Sequence, residues 1–593
     1  MTFTPPAKSM QFLIRHSEEW KSILATDLYQ EIDEELVGDI LQGAAQFSSD
    51  VIAPTNWNGD QNPCRLEDDK VTIPPGFKAA YKDFVDAAWQ SVATPAEIGG
   101  MGLPQIISVA TNEMIYASNM ALGLCPMLTS SAALAIAAHA SDALKARYLP
   151  KMINGEWSGA MDLTEPHAGS DLSVLRTKAV DNGDGTYALT GQKIFITWGD
   201  HDMADNIIHL VLARLPDAPS GSKGISLFLC PKYLPTETGE LGERNKFRTI
   251  GLEHKLGIHG SPTCVMEFDG ATAWLVGEVN EGLACMFTMM NEARLFVGVQ
   301  GVAIGERAYQ AALDYANERV QGQVSSGEAD APIIHHPDVR RMLMEMKSGL
   351  MGARAICMAT AAANDLARSL TDETAQKAAH KRDALLTPIA KAYGSDMGVW
   401  AASVGVQIHG GMGFVEETGA AQHYRDCRIA PIYEGTNGIQ AIDLIGRKLR
   451  RDGGEAMRAL IGELKSIHAI CAPISVSLAP PQKEHMDICA KALAEGLETL
   501  EAATEIMLNV SEDNALSGAN AYLQICGDVI SGACLIRACC RGFEAGDEDA
   551  ASMLALTRFH ALTYMPRAAH ALAYLPQAAA SIFDFPKRSL ADL

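Results

Sequence analysis

Apolar residues recur at three- and four-residue steps over residues 31–47, 77–89 and 143–152, the spacing that gathers them on one face of an α-helix. The first 155 or so residues therefore read as helical. From 157 to 274 the period changes. Short β-rich runs at 186–190, 207–213, 225–230 and 264–268 are separated by turn-forming segments at 182–185, 217–222 and 259–262, which predicts antiparallel strands with little room for crossover helices. Helical spacing returns after Gly282, in long stretches at 284–318, 339–370 and 374–408, where Gly298, Gly301 and Gly305 allow close helix contact. After Arg451, a segment at 471–484 reads as a linker into alanine-rich helices. The pattern predicts a mainly α protein with a central β domain: helical to 156, β over 157–276, a helical bundle over 277–450 and a helical extension over 451–593.

One stretch, 114–141, contains no Asp, Glu, Lys or Arg. Asn119, Gly123, Pro126 and His139 interrupt it, so two buried helices broken near Pro126 are expected rather than a membrane span.

Composition narrows the function more than the fold. With 48% hydrophobic and 20% charged residues in 593, several cores can be buried. A net charge of −24 excludes a phosphate-backbone binder as the leading reading, since such affinity comes from clustered Lys and Arg, and the longest basic group is Arg447, Lys448, Arg450 and Arg451. Thirteen cysteines without CxxC or Cys/His ligand spacing fit buried reduced thiols and no metal site. With no secretory pattern in MTFTPPAKSMQFL, the expected location is cytoplasmic, without an integral membrane segment.

Candidate chemistry lies in five places. MDLTEPHAGSD (161–171) opens the β region, with Thr164, Ser170 and backbone donors near Gly169 on a loop held by Pro166. GQKIFITWG (191–199) offers Phe195, Thr197 and Trp198 at a strand end. Arg294 and Arg319 carry the planar fork that suits phosphate. QIHGGMGF (407–414) brings glycines that let backbone approach a ligand; it follows no strand and is no GxGxxG fingerprint, which disfavours a Rossmann site. Glu434 stands between Tyr433 and Gly435 in IYEGT. A carboxylate with an aromatic on one side and a glycine on the other suits a general base, because partial burial raises its pKa from about 4.3 toward the neutral range.

TEPxAGSD, FITxG, the helix bearing Arg294, RxQ at Arg319 and Gln321, QIHGGxGF, the pair Arg425 and Asp426, and YEGT with Gln440 stand in the order found in the acyl-CoA dehydrogenase family, which the chain resembles from about 155 to 451. The resemblance implies a helical domain, a β domain and a four-helix bundle, with FAD bound between the last two. It assigns FAD contacts to Met161, Leu163, Thr164, Gly169, Ser170, Phe195, Thr197 and Thr436. From a second subunit it assigns Arg319 and Gln321 to the pyrophosphate, and Gln407, Gly410 and Gly411 to the adenosine half. Ser170, Asn291, Arg294 and Gly435 are implied at the acyl-CoA, with Glu434 as the base and electrons leaving to an electron-transfer flavoprotein.

Some relatives carry the base on the helix just before the arginine; here that position is Ala293, and Glu292 lies about 100° round the helix. Trp198 stands where many relatives have Asn, and Asn291 where several have Asp, so the walls near flavin and acyl chain are expected to differ. The extension and the SMQFL opening resemble the longer bacterial branch that includes 3-methylmercaptopropionyl-CoA and broad-chain fatty acyl-CoA dehydrogenases. That branch implies a homodimer, with a tetramer as the alternative. Competing activities are a longer-chain fatty acyl-CoA dehydrogenase, an acyl-CoA oxidase, and a catalytically weak DNA-associated relative, the last disfavoured by the acidic charge.

Overall fold

The computed structural model describes residues 3–236, 238–324 and 331–585. They fall into two compact units, one drawn from 46–108 and 114–296, the other from 3–45, 109–113 and 297–585.

The first of these is built on a seven-stranded sheet. Its strands are β1 (Trp157–Asp162), β2 (Lys178–Asp181), β3 (Tyr187–Thr197), β4 (Asn206–Ala213), β5 (Ser226–Pro231), β6 (Phe247–Leu252) and β7 (Thr263–Val276). They run β1-β4-β5-β7-β3-β2 across the sheet, with β6 also on β7. Every residue of β4 and β5 is buried, and Ile207, Val211, Phe228, Phe247, Met266 and Phe268 fill the core.

Two details correct the sequence expectation. β1 pairs with β4 in parallel, Trp157 opposite Asn206 and Asp162 opposite Val211, so the sheet is not wholly antiparallel. The intervening chain, 163–205, serves as the long crossover that a parallel pair requires. The run expected to end at 268 continues to Val276, because Gly270, at φ 74°, is absorbed as an extra residue where the register against β3 shifts.

Helix α1 (Gln105–His139) contains all but the last two residues of the uncharged stretch, and its break lies at Asn119 (φ −158°, ψ 98°), not at Pro126. The Asn119 side chain accepts from the Leu122 N–H at 3.1 Å and donates to Thr55 Oγ1 at 2.8 Å, so it caps the second segment as an N-cap residue does. Pro126 is carried within that segment. The most apolar window of α1 is 83% buried inside the protein, so packing accounts for its apolarity.

Helices α2 (Asp142–Ile153) and α3 (Gly282–Glu318) follow, and the second unit takes up the chain at Val297, within α3. It contains α4 (Pro337–Ser369), α5 (Glu373–His409), α6 (Asn437–Asp443), α7 (Glu455–Ser477), α8 (Gln482–Asn509), α9 (Glu512–Ala545) and α10 (Ala550–Thr563). α3 and α5 approach backbone to backbone, since a Cβ on Gly298 would sit 2.4 Å from the Ala390 carbonyl oxygen. Arg354, fully buried, donates to Glu113 at 2.6 Å and to Glu306 at 3.0 Å, so its charge is compensated on two sides.

The segment expected as a linker from 471 is helical to Ser477, leaving 478–481 as the connection. Cys471 and Ile474 continue the buried face, while Pro473 sits on the exposed side, where a carbonyl deprived of its partner meets water. All thirteen cysteines are free thiols, and all but Cys64 are buried.

Candidate active site

The site residues are divided between the two units, and each set is held by its own scaffold.

In the sheet unit, the loop after β1 is pinned to β3. The Leu163 carbonyl accepts from Lys193 Nζ at 3.0 Å, and the Thr164 carbonyl from the Ile194 N–H at 2.9 Å. Glu165 and Ala168 exchange backbone hydrogen bonds of 2.9 and 3.0 Å, closing a turn around Pro166. The Glu165 carboxylate points inward and accepts from Lys193, from the Thr177 hydroxyl and amide, and from the Arg176 amide. Burial would raise this carboxyl, but the Lys193 charge and those donors outweigh it and hold it below the ordinary range. Lys193 is itself fully buried, and burial lowers its ammonium against the pull of Glu165. So anchored, the loop leaves Gly169 and Ser170 exposed, Met161 and Thr164 half-buried, and Leu163 buried.

On β3 the register against β7 moves from Lys193–Met266 to Ile196–Cys264, so that residues 194 and 195 face the single residue Val265. This bulge puts Phe195 at φ 61°, rare for an aromatic residue, and leaves it 58% exposed. Thr197 is half-buried beside it. Trp198 turns the other way: it is fully buried, donates Nε1–H to the Ala121 carbonyl at 3.0 Å and lies near Phe77 and His201. Its indole N–H is thus spent inside the core.

Arg294 is buried on α3, with Nη1 3.4 Å from Asn291 Oδ1 and its guanidinium 5.8 Å from the Phe287 ring centre. Asn291 is exposed, Ala293 is buried, and Glu292 accepts from Gln105 at 2.6 Å. The carboxylate next to the alternative base position is thus already engaged.

In the helical unit, Glu434 and Gly435 are both left-handed, at φ 56° and 80°. For a glutamate this conformation costs about 1–3 kcal/mol and persists only where surrounding groups impose it. Gln440, fully buried, donates to the Glu434 and Gly435 carbonyls at 3.1 and 3.2 Å, and Lys391 donates to the Gly435 carbonyl at 2.8 Å. Thr436 caps α6, and the Tyr433 hydroxyl donates to Gln300. Glu434 is half-buried, as expected beside an aromatic. Gln440 was legible from the motif; Lys391 and Gln300 were not, since they lie far off in sequence on helices with no local signal.

In the same unit Arg319 and Gln321 are exposed, joined by a 3.2 Å hydrogen bond, and held by the Ile333 amide and His336 through their backbone carbonyls. Gln407, Gly410 and Gly411 are exposed where α5 ends. A Cβ at Gly410 or Gly411 would meet nothing within 4 Å, whereas one at Gly413 would meet the Val406 carbonyl oxygen at 2.2 Å. Packing explains Gly413. The other two leave backbone open to an outside group. Arg425 pairs with Glu416 at 2.8 Å, and Asp426 is buried. Among the described residues no cluster of metal-ligating side chains occurs.

Family models for the acyl-CoA dehydrogenase N-terminal, middle and C-terminal domains match residues 39–156, 160–271 and 280–449, and one for an acetyl-CoA dehydrogenase C-terminal-like domain matches 464–586. The chain is 47% identical over 541 residues to 3-methylmercaptopropionyl-CoA dehydrogenase of Ruegeria pomeroyi, covering 90% of each protein. The chain belongs to the acyl-CoA dehydrogenase family. It is thus an FAD-dependent oxidoreductase of acyl-CoA thioesters. It is also 36% identical over 452 residues to the broad-specificity linear acyl-CoA dehydrogenase FadE5 of Mycobacterium tuberculosis, 74% of each chain. An FAD-complexed acyl-CoA dehydrogenase from Bacillus anthracis shares the fold, with a TM-score of 0.71 at 22% identity over 95% of this chain and 92% of that one. The residues present fit the flavin: an exposed aromatic on a β-bulge, exposed Ser170, Arg319 and Gln321 donors, and two glycines with open space before them.

Proposed function

We propose that Glu434 is the base that removes the α-proton of an acyl-CoA thioester, and that the acyl group is 3-methylmercaptopropionyl or a short- to medium-chain fatty acyl. The observation that carries the first part is the left-handed turn at Glu434 and Gly435, held by Lys391 and Gln440. Strain in a glutamate backbone, imposed by buried donors, fixes where the carboxylate can reach. The 47% identity to 3-methylmercaptopropionyl-CoA dehydrogenase supports the second part, and with it a place in dimethylsulfoniopropionate catabolism.

FAD, when bound, supplies the two-electron acceptor for the hydride leaving the β-carbon. The residues of the chain divide the remaining work. Met161, Leu163, Thr164, Gly169 and Ser170, with Phe195, Thr197 and Thr436, hold the cofactor. From the partner subunit, Arg319 and Gln321 would reach the pyrophosphate, the arginine by charge and the glutamine by hydrogen bond, and Gln407, Gly410 and Gly411 would meet the adenosine half. Ser170, Asn291, Arg294 and Gly435 orient the thioester. Glu434 then takes the α-proton onto its carboxylate as the β-hydrogen departs, giving a 2-enoyl-CoA. The assembly is a homodimer, the compartment cytoplasmic, and the external acceptor an electron-transfer flavoprotein. A structural neighbour at 26% identity and TM-score 0.58 comes from a study of such a flavoprotein.

A panel of acyl-CoAs added anaerobically to the purified yellow protein tests this reading. The visible flavin band should bleach fastest with 3-methylmercaptopropionyl-CoA or a short or medium straight chain, with the 2-enoyl-CoA recovered by mass spectrometry. Fastest bleaching by palmitoyl-CoA would overturn the substrate assignment, and no bleaching by any thioester would overturn the reaction.

A further inference from the structure

We propose that Lys391 is a positioning residue for the base: its buried ammonium locks the turn that aims Glu434. The inference rests on the assignment of Glu434 as the base.

Lys391 lies in the interior of α5 with no solvent exposure. Burying an ammonium costs several kcal/mol, so a lysine in such a place needs compensating partners. Nζ donates to the Gly435 carbonyl at 2.8 Å and to Asn437 Oδ1 at 2.9 Å. These two acceptors belong to the segment that follows Glu434 and are neutral, while the Asp396 carboxylate acts on the ammonium through space. Asn437 in turn donates to Asp396 at 2.7 Å, to Ser395 Oγ at 3.0 Å and to the Ala392 carbonyl at 3.2 Å, all on α5. One face of α5 therefore grips the residues just after the base through a cation and an amide.

The point of attachment matters. Glu434 and Gly435 are two successive left-handed residues, and the orientation of the peptide that links Gly435 to Thr436 sets where the turn leaves for α6. The carbonyl of that peptide receives the Lys391 and Gln440 bonds together. An apolar side chain at 391 would leave it with the weaker, neutral donor at 3.2 Å. Rotation of that peptide would loosen the turn at Gly435, immediately after the base, and let the Glu434 carboxylate drift from its aim. Thr436 would still cap α6 through the Ile439 amide, so the helix survives while the aim is lost. A residue serving the fold alone would be expected to lower stability without separating kcat from KM.

The test compares wild type, Lys391→Met, Glu434→Gln and the double variant as FAD-loaded enzymes, in steady-state assays with an artificial electron acceptor. A displacement of about 1 Å in a reacting group costs on the order of 100-fold, so Lys391→Met should lose kcat on that scale while FAD content and KM stay near wild type. On the Glu434→Gln background, where residual 2-enoyl-CoA is collected over hours rather than on the wild-type timescale, Lys391→Met should add no further loss, because both act through one carboxylate. Full kcat in Lys391→Met with an inactive Glu434→Gln would overturn the proposal and leave the base assignment intact. An equal further loss on the Glu434→Gln background would overturn it as well. Wild-type turnover in Glu434→Gln would remove the base assignment itself. If Lys391→Met does not fold, Lys391→Gln takes its place, since its shorter neutral side chain withdraws the cation from the Gly435 carbonyl while offering a polar group to the buried acceptors. The same kcat loss at constant KM is expected, and an unchanged kcat overturns the proposal.

Discussion

Lys193 meets Glu165 at 2.9 Å with both side chains withdrawn from solvent, and the same ammonium holds the Leu163 carbonyl. The pair ties the loop bearing Thr164, Gly169 and Ser170 to the bulge that presents Phe195.

Removing one partner strands the other charge in the core. Lys193→Met should cost about 3–5 kcal/mol, and the protein should purify with less flavin per chain. Replacing both, as Glu165→Gln with Lys193→Met, should recover much of the stability because no buried charge remains unpaired. Thermal melts and the ratio of visible to ultraviolet absorbance check both outcomes.

The extension meets the bundle at a similarly close point. A Cβ on Gly527 of α9 would lie 2.1 Å from the ring of Tyr393 on α5, two residues beyond Lys391. Gly527→Ala should destabilise by about 1–3 kcal/mol through overpacking. The loss should appear as a lower melting temperature, and limited proteolysis should cut within 451–585 sooner than in wild type.

Asp528, next to that glycine, accepts from Tyr393 and Gln524, each at 3.0 Å, and burial pushes its carboxyl up from 3.8 to about 6. A carboxyl raised on folding favours the protonated native state. Its stabilisation is therefore full below about pH 4, the unfolded value, and is lost as pH rises through about 6. Asp528→Asn mimics the neutral acid and should leave stability near wild type at pH 4. At pH 8 it should raise stability by up to about 3 kcal/mol, two pKa units at about 1.4 kcal/mol each. Paired melts at the two pH values measure the difference; a variant less stable at pH 8 would contradict it.

Much of this was legible in the chain. The long helices begin and end within a few residues of their apolar periodicity, because the buried faces that write the pattern are also what stabilise them. The order of short motifs pointed to the family, and the YEGT segment to Glu434. Less visible were features set by tertiary contact. Proline appeared the natural breaker of α1, but Asn119 breaks it, because only the fold supplies Thr55 as its second partner. Lys391 and Lys193 read as ordinary lysines, since nothing local shows that their ammonium groups end on carbonyls of distant turns. The β3 bulge was equally hidden, because register depends on the partner strand.

Turnover of Glu434→Gln tests the central claim most directly. The variant should purify yellow, with wild-type FAD content and unchanged melting temperature, should bind acyl-CoA, and should show no measurable bleaching or 2-enoyl-CoA on the timescale of wild-type turnover. Retained wild-type bleaching would show that another group removes the α-proton and would contradict the account.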